Sequence, residues 1–160
     1  MLDNTQETPR LNLRICGNKS NIVSMEDVRR VPTPQATNRW KPIAHSKVVD
    51  VTRNTLEEKG FEVLNECHNV TKGGEHYFGM FQVNHADLSD NGGERGCVVG
   101  MRNSHDKLFA AGLCAGDAPF ICDNLVFHNE VVFTRKHIGD VYGELVSRVN
   151  KITEYLIPMW

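Results

Sequence analysis

The sequence predicts an α+β fold, a mostly antiparallel sheet of about five or six strands with two main helices. Three observations carry that expectation. Two segments, 46–59 and 140–157, repeat apolar residues at helical spacing. Between them lie runs that alternate or are apolar throughout, the pattern of strands. Those runs are parted by "KGGE" (72–75), "LSDNGGER" (88–95) and "GDAP" (116–119), whose glycines, aspartates, asparagine and proline favour chain reversal.

Residues 1–30 show no sustained period and read as an N-terminal arm with only local order. Within it "LNLRICGN" (11–18) alternates and offers an edge strand, and 25–30 offers a helical turn. Residues 31–160 read as one α+β domain. They begin with "VPTPQATNRWKPIAH", whose three prolines remove amide donors and restrict their predecessors. That stretch is expected to be an extended arm or crossing loop anchored by Trp40.

The helix over 46–59 takes Ser46 as its N-cap and Gly60 as the residue beyond its C-cap. Val48, Thr52 and Leu56 form its apolar stripe, widened by Val49 and Val51. Strands are expected over 61–70, 76–85, 96–103, 108–116, 120–127 and 130–137. The strand 76–85 has apolar groups on both faces, which predicts a central place in the sheet. The last helix aligns Val141, Leu145, Val149, Ile152 and Leu156, with Asp140 as N-cap.

At 160 residues the chain is long enough to bury its own core. A net charge of −2 gives no global pull towards nucleic acid or an acidic membrane, so electrostatic binding needs a local patch. No apolar run reaches membrane-span length, and the N-terminus lacks the pattern of a secretory signal. Cys16, Cys67, Cys97, Cys114 and Cys122 are odd in number and include no Cys-x-x-Cys pair. They are expected to be thiols in a reducing cytoplasm.

Asn103-Ser104-His105-Asp106 brings a serine, a histidine and an aspartate together in sequence. A catalytic triad needs convergence in space with histidine in the middle, which successive residues of an extended chain do not provide. The expectation is therefore a polar turn in which Asn103 or Ser104 bonds the turn backbone and Asp106 caps it. The functional alternative is a small hydrolase or nuclease using the Asn103–Asp106 cluster, with His105 and Asp106 acting beside a thiol (Cys114) or a metal. His76, His85, His105, His128 and His137 lack metal-site spacing with Asp106, Cys114 or Asp123. No glycine loop matches a phosphate-binding fingerprint, so neither metal nor cofactor is expected.

The basic stretch offers more. No acidic residue lies between Asp27 and Asp50, while Arg29, Arg30, Arg39, Lys41 and Lys47 all do, with Trp40 between two of them. Cations that track phosphates beside an aromatic platform for a base are how many proteins hold single strands. Arg135 and Lys136 form a second basic cluster before the last helix.

The motifs "VPTP", "KPIAHSKVVDVTRNTLEEKGFEVLNE", "GGEHYFGMFQV" and "GMRNSHDKLFAAGLCAGDAPFICDNLVF", with a later "RKH", resemble one family over roughly 31–137. It is the phage- and plasmid-borne domain of unknown function 932. The stretch Arg102–Asp106, followed by Cys122-Asp123-Asn124, is its most specific part, although Asp123 departs from the family's cysteine-serine-asparagine order. The resemblance implies a phage or mobile-element accessory protein and supplies no catalytic residue. The expected function is binding of single-stranded nucleic acid in DNA replication or recombination, as a homo-oligomer in the host cytoplasm. An anti-defence protein that binds a host factor is the other non-enzymatic alternative.

Overall fold

The structure is a computed structural model that describes residues 21–85, 97–108, 110–116, 131–132 and 141–156. Its centre is the hairpin of β2 (Phe61–Thr71) and β3 (His76–His85). A 3-10 turn at Lys72–Gly74 closes the hairpin, with φ of 65° at Gly73 and 100° at Gly74. Those angles lie in the region where side chains are strained, which is why this turn takes two glycines. Strand β4 (Cys97–Ser104) pairs with β3, and β5 (Gly112–Gly116) pairs with β4. Two-residue strands flank them: β1 (Ile22–Val23) on β2 and β6 (Val131–Val132) on β5. The sheet thus runs β1-β2-β3-β4-β5-β6, every described pair antiparallel and in chain order. The α+β expectation is met.

Helices α2 (His45–Glu58) and α3 (Val141–Leu156) pack together on one face. Their Val48, Val49, Leu56, Leu145, Val149 and Ile152 close on Tyr77, Phe81, Val99, Met101 and Leu113 of the sheet. Burial of each such large side chain stabilises the fold by about 1.5–3 kcal/mol. The opposite face carries Phe78, Met80, Gln82, Val98 and Cys114, also buried. Strand β3 is therefore enclosed on both sides, as its sequence predicts.

Helix α1 (Met25–Arg30) matches the expected helical turn. The Ser24 hydroxyl accepts from the Asp27 amide at 3.2 Å, and the Asp27 carboxylate accepts from the Ser24 amide at 3.2 Å. This reciprocal cap satisfies two otherwise orphaned donors. Val28 of α1 joins the main core.

Two expectations change. Helix α2 begins at His45 with Ala44 at its N-cap, so Ser46 lies inside the helix and caps nothing. Hydrogen bonds from β4 to the chain just before α2 fix the entry, and that tertiary restraint outweighs the local preference for a serine cap. At the other end Gly60 has φ of 87°, as expected for the residue beyond the C-cap. The strand expected over 108–116 starts only at Gly112, because His105–Leu108 bend away and Lys107 adopts φ of 64°. Residues 11–18, 88–95, 117–130 and 133–140 lie outside the described residues, as does the Asp140 cap. Among the described residues no helix is long and apolar enough to cross a membrane.

Candidate functional site

The proline-rich segment 31–44 has no helix or strand and runs as a strap from α1 to α2. Its far end is fastened at one carbonyl. The Ile43 oxygen accepts from the Asn103 amide at 2.7 Å and from His105 Nε2 at 2.8 Å. Asn103 also donates to His45 Nδ1 at 2.9 Å, and His45 Nε2 donates to the Gly74 carbonyl at 2.7 Å. The His45 and His105 rings stack, with centroids 3.8 Å apart and planes within 9°. All three side chains are buried. This clasp joins the strap, the start of α2, the β2–β3 turn and the end of β4.

The hydrogen bonds fix the tautomer of His45. A carbonyl only accepts, so Nε2 carries the proton towards Gly74, and Nδ1 receives the Asn103 donor in the neutral ring. Burial lowers the His45 pKa from 6.5 to about 4, outweighing the opposing hydrogen bond to Gly74, with His105 and His76 nearby adding to the fall. Burial also lowers His105, against the opposing effects of the Ile43 carbonyl, Glu75 and Asp106.

Asp106 does cap the turn, accepting from the Leu108 amide at 3.0 Å and from the Ser104 hydroxyl at 2.8 Å. Its other oxygen accepts from His76 Nε2 at 2.6 Å. Partial burial pushes its carboxyl up, but hydrogen bonds from Ser104, the Leu108 amide and His76 prevail and hold it at about 2. Aspartate thus lies between serine and histidine, whereas nucleophilic catalysis needs histidine between the other two. His105 faces the strap instead. Asn103 reaches across to the strap rather than bonding the turn, because as a strand residue it points to the helix-bearing face.

Cys114 occupies the opposite face of the sheet from the clasp, its strand neighbours Leu113 and Ala115 facing the helices. Cys67 is half-buried, and burial pushes its thiol up. His85 donates to the Lys59 carbonyl at 3.1 Å, away from the other histidines. Among the described residues no three histidines, cysteines or carboxylates are placed to hold a metal ion.

A second polar network lies under α2. The Tyr77 hydroxyl and His68 Nδ1 are 2.8 Å apart, His68 Nε2 is 3.6 Å from Glu66, and Glu66 pairs with Arg53. Tyr77 is fully buried, which pushes its phenol well above the usual range. Its hydroxyl lies over Gly79, where any Cβ would overlap it.

The basic residues divide. Arg29 makes a two-pronged pair with Asp50 at 2.7 and 2.8 Å, and Arg30 pairs with Glu26 at 3.0 Å. Arg39 and Lys41 are exposed on the strap on either side of half-buried Trp40. Lys107, which the sequence alone did not single out, places its ammonium 4.9 Å from the centre of the Trp40 ring. Arg135 and Lys136 lie outside the described residues. His45 and Lys107 had no local signal, since their partners are distant in sequence.

Comparison with protein-family models, curated proteins and solved structures finds no match.

Proposed function

We propose that the protein binds single-stranded nucleic acid along the strap, as an accessory protein of phage or mobile-element DNA replication or recombination. The observation that carries this reading is the grouping of Arg39, Trp40, Lys41 and Lys107. Two exposed cations flank an aromatic ring, and a third lies over it. A base stacked on tryptophan takes the place of the Lys107 ammonium, which then turns to a phosphate. Stacking of this kind contributes about 1–3 kcal/mol per base. Arg29 and Arg30 are secondary contacts, because each already has a carboxylate partner. The link to mobile elements comes from the family resemblance of 31–137. Self-association belongs to the same reading, since among the described residues β1 covers only His68 and Asn69 of the β2 edge.

Fluorescence anisotropy with labelled single strands tests this. Three phosphate contacts, from Arg39, Lys41 and Lys107, predict about a 20-fold loss of affinity as salt rises from about 50 to about 200 mM. The Arg39→Ala, Lys41→Ala double variant is expected to weaken binding and flatten that salt dependence. Absence of binding at low salt, or binding indifferent to the double variant, overturns the proposal.

A further inference from the structure

The clasp has a property that a simple tether lacks: it is complete in only one protonation state. Asn103 directs its amide nitrogen at two acceptors, the Ile43 oxygen and His45 Nδ1. A second proton on His45 puts an N–H against that amide. Asn103 can then serve His45 only by turning its oxygen round, and the oxygen would face the Ile43 carbonyl. Either orientation leaves one buried contact repulsive. The stacked His105 ring lies 3.8 Å away, so a charge there as well adds repulsion.

We propose that the His45–Asn103–His105 clasp is an acid-sensitive latch that releases the strap carrying Trp40 while the sheet stays folded. The groups that act on it come from the strap, from β3 with the turn before it, and from the end of β4. The strap brings only a carbonyl to it; β3 and the turn before it bring His76, Tyr77 and Glu75; the β4 end brings Asp106. Asp106 is occupied by Ser104, Leu108 and His76. Glu75 and Asp106 act on His105 rather than His45, so among the described residues no carboxylate compensates a charge on the His45 ring.

The direction follows from linkage. His45 titrates lower in the closed latch than when released, so the closed form is favoured above the free value of 6.5 and loses ground down to about 4. One proton is taken up on opening, so the ratio of open to closed strap grows up to about tenfold per pH unit across that window. The latch stands on its own geometry and does not depend on nucleic-acid binding.

The test uses the full chain carrying Trp160→Phe, so that Trp40 is the only tryptophan. Acrylamide quenching of Trp40 is followed from neutral to acid pH alongside far-UV circular dichroism. Quenching is expected to rise through the window while the dichroism holds, and His45→Gln, which keeps a donor for Gly74 but cannot titrate, should abolish the rise. Flat quenching, a rise that survives His45→Gln, or a rise that coincides with loss of dichroism overturns the latch. Should His45→Gln fail to fold, ring ¹⁵N shifts of the unsubstituted protein decide. A neutral His45 protonated at Nε2 near neutral pH supports the latch, and a proton on Nδ1 sinks it. Nucleic-acid binding that fails at neutral pH, with the quenching step intact, refutes the functional proposal alone.

Discussion

The two polar networks on the helix-bearing face of the sheet differ in what they join. His45, Asn103 and His105 reach backbone carbonyls of segments 29 to 62 residues away in sequence. Arg53, Glu66, His68 and Tyr77 link side chain to side chain across α2 and the β2–β3 hairpin, over separations of no more than 13 residues. The first network therefore decides where an irregular strap runs, and the second reinforces a hairpin whose ladder already holds it. Its outer member, the Arg53–Glu66 pair, is partly exposed, a setting where ion pairs contribute about 0–1 kcal/mol. The clasp is buried, where a polar group without its partner costs about 1–3 kcal/mol.

Substitutions test that contrast. The largest effect belongs to the geometry beneath Tyr77. Gly79→Ala forces a methyl into the space of a fully buried hydroxyl, and about 3 kcal/mol of stability is expected to be lost in urea unfolding. The same change in a Tyr77→Phe background should cost less, because the colliding oxygen is gone. Asn103→Leu comes next: it removes two hydrogen bonds and strands His45 Nδ1, for a loss of about 2–3 kcal/mol. It should also raise Trp40 quenching near neutral pH. Tyr77→Phe alone leaves only His68 Nδ1 without its partner and should cost about 1–2 kcal/mol, with Trp40 unaffected. If Tyr77→Phe frees the strap as much as Asn103→Leu does, the division between the networks is wrong.

The smallest effect is Lys107→Gly. It relieves a left-handed backbone at a cost of about 1–2 kcal/mol to other residues, and it gives up a cation–ring contact of about 0.5–1 kcal/mol. Stability should change little or rise slightly, while the single-strand binding proposed above should weaken. That split separates a residue kept for a ligand from one kept for the fold.

Much of the architecture was legible because its signals are local. Apolar repeats at helical spacing mark α2 and α3, and the two glycines at 73 and 74 mark the hairpin turn. The double-sided apolar content of 76–85 marks the central strand, and the cap of Asp106 on its own turn follows from short-range chemistry. The N-cap of α2 lies two residues before the one expected, because Ser46 advertises a cap while the true boundary is imposed by β4. The roles of Asn103 and His105 were hidden for the same reason: a strand shows which residues alternate, not what they meet.

The residues thus prescribed the helices, the hairpins and the central strand, since each depends on side-chain spacing within one segment. The assembly alone determined that Asn103 and His105 would hold Ile43, that His45 would stack on His105 and that Lys107 would lie over Trp40. Those contacts depend on how β4 registers against β3 and where α2 lies across them. Groups 58 to 62 residues apart meet only after the sheet has formed.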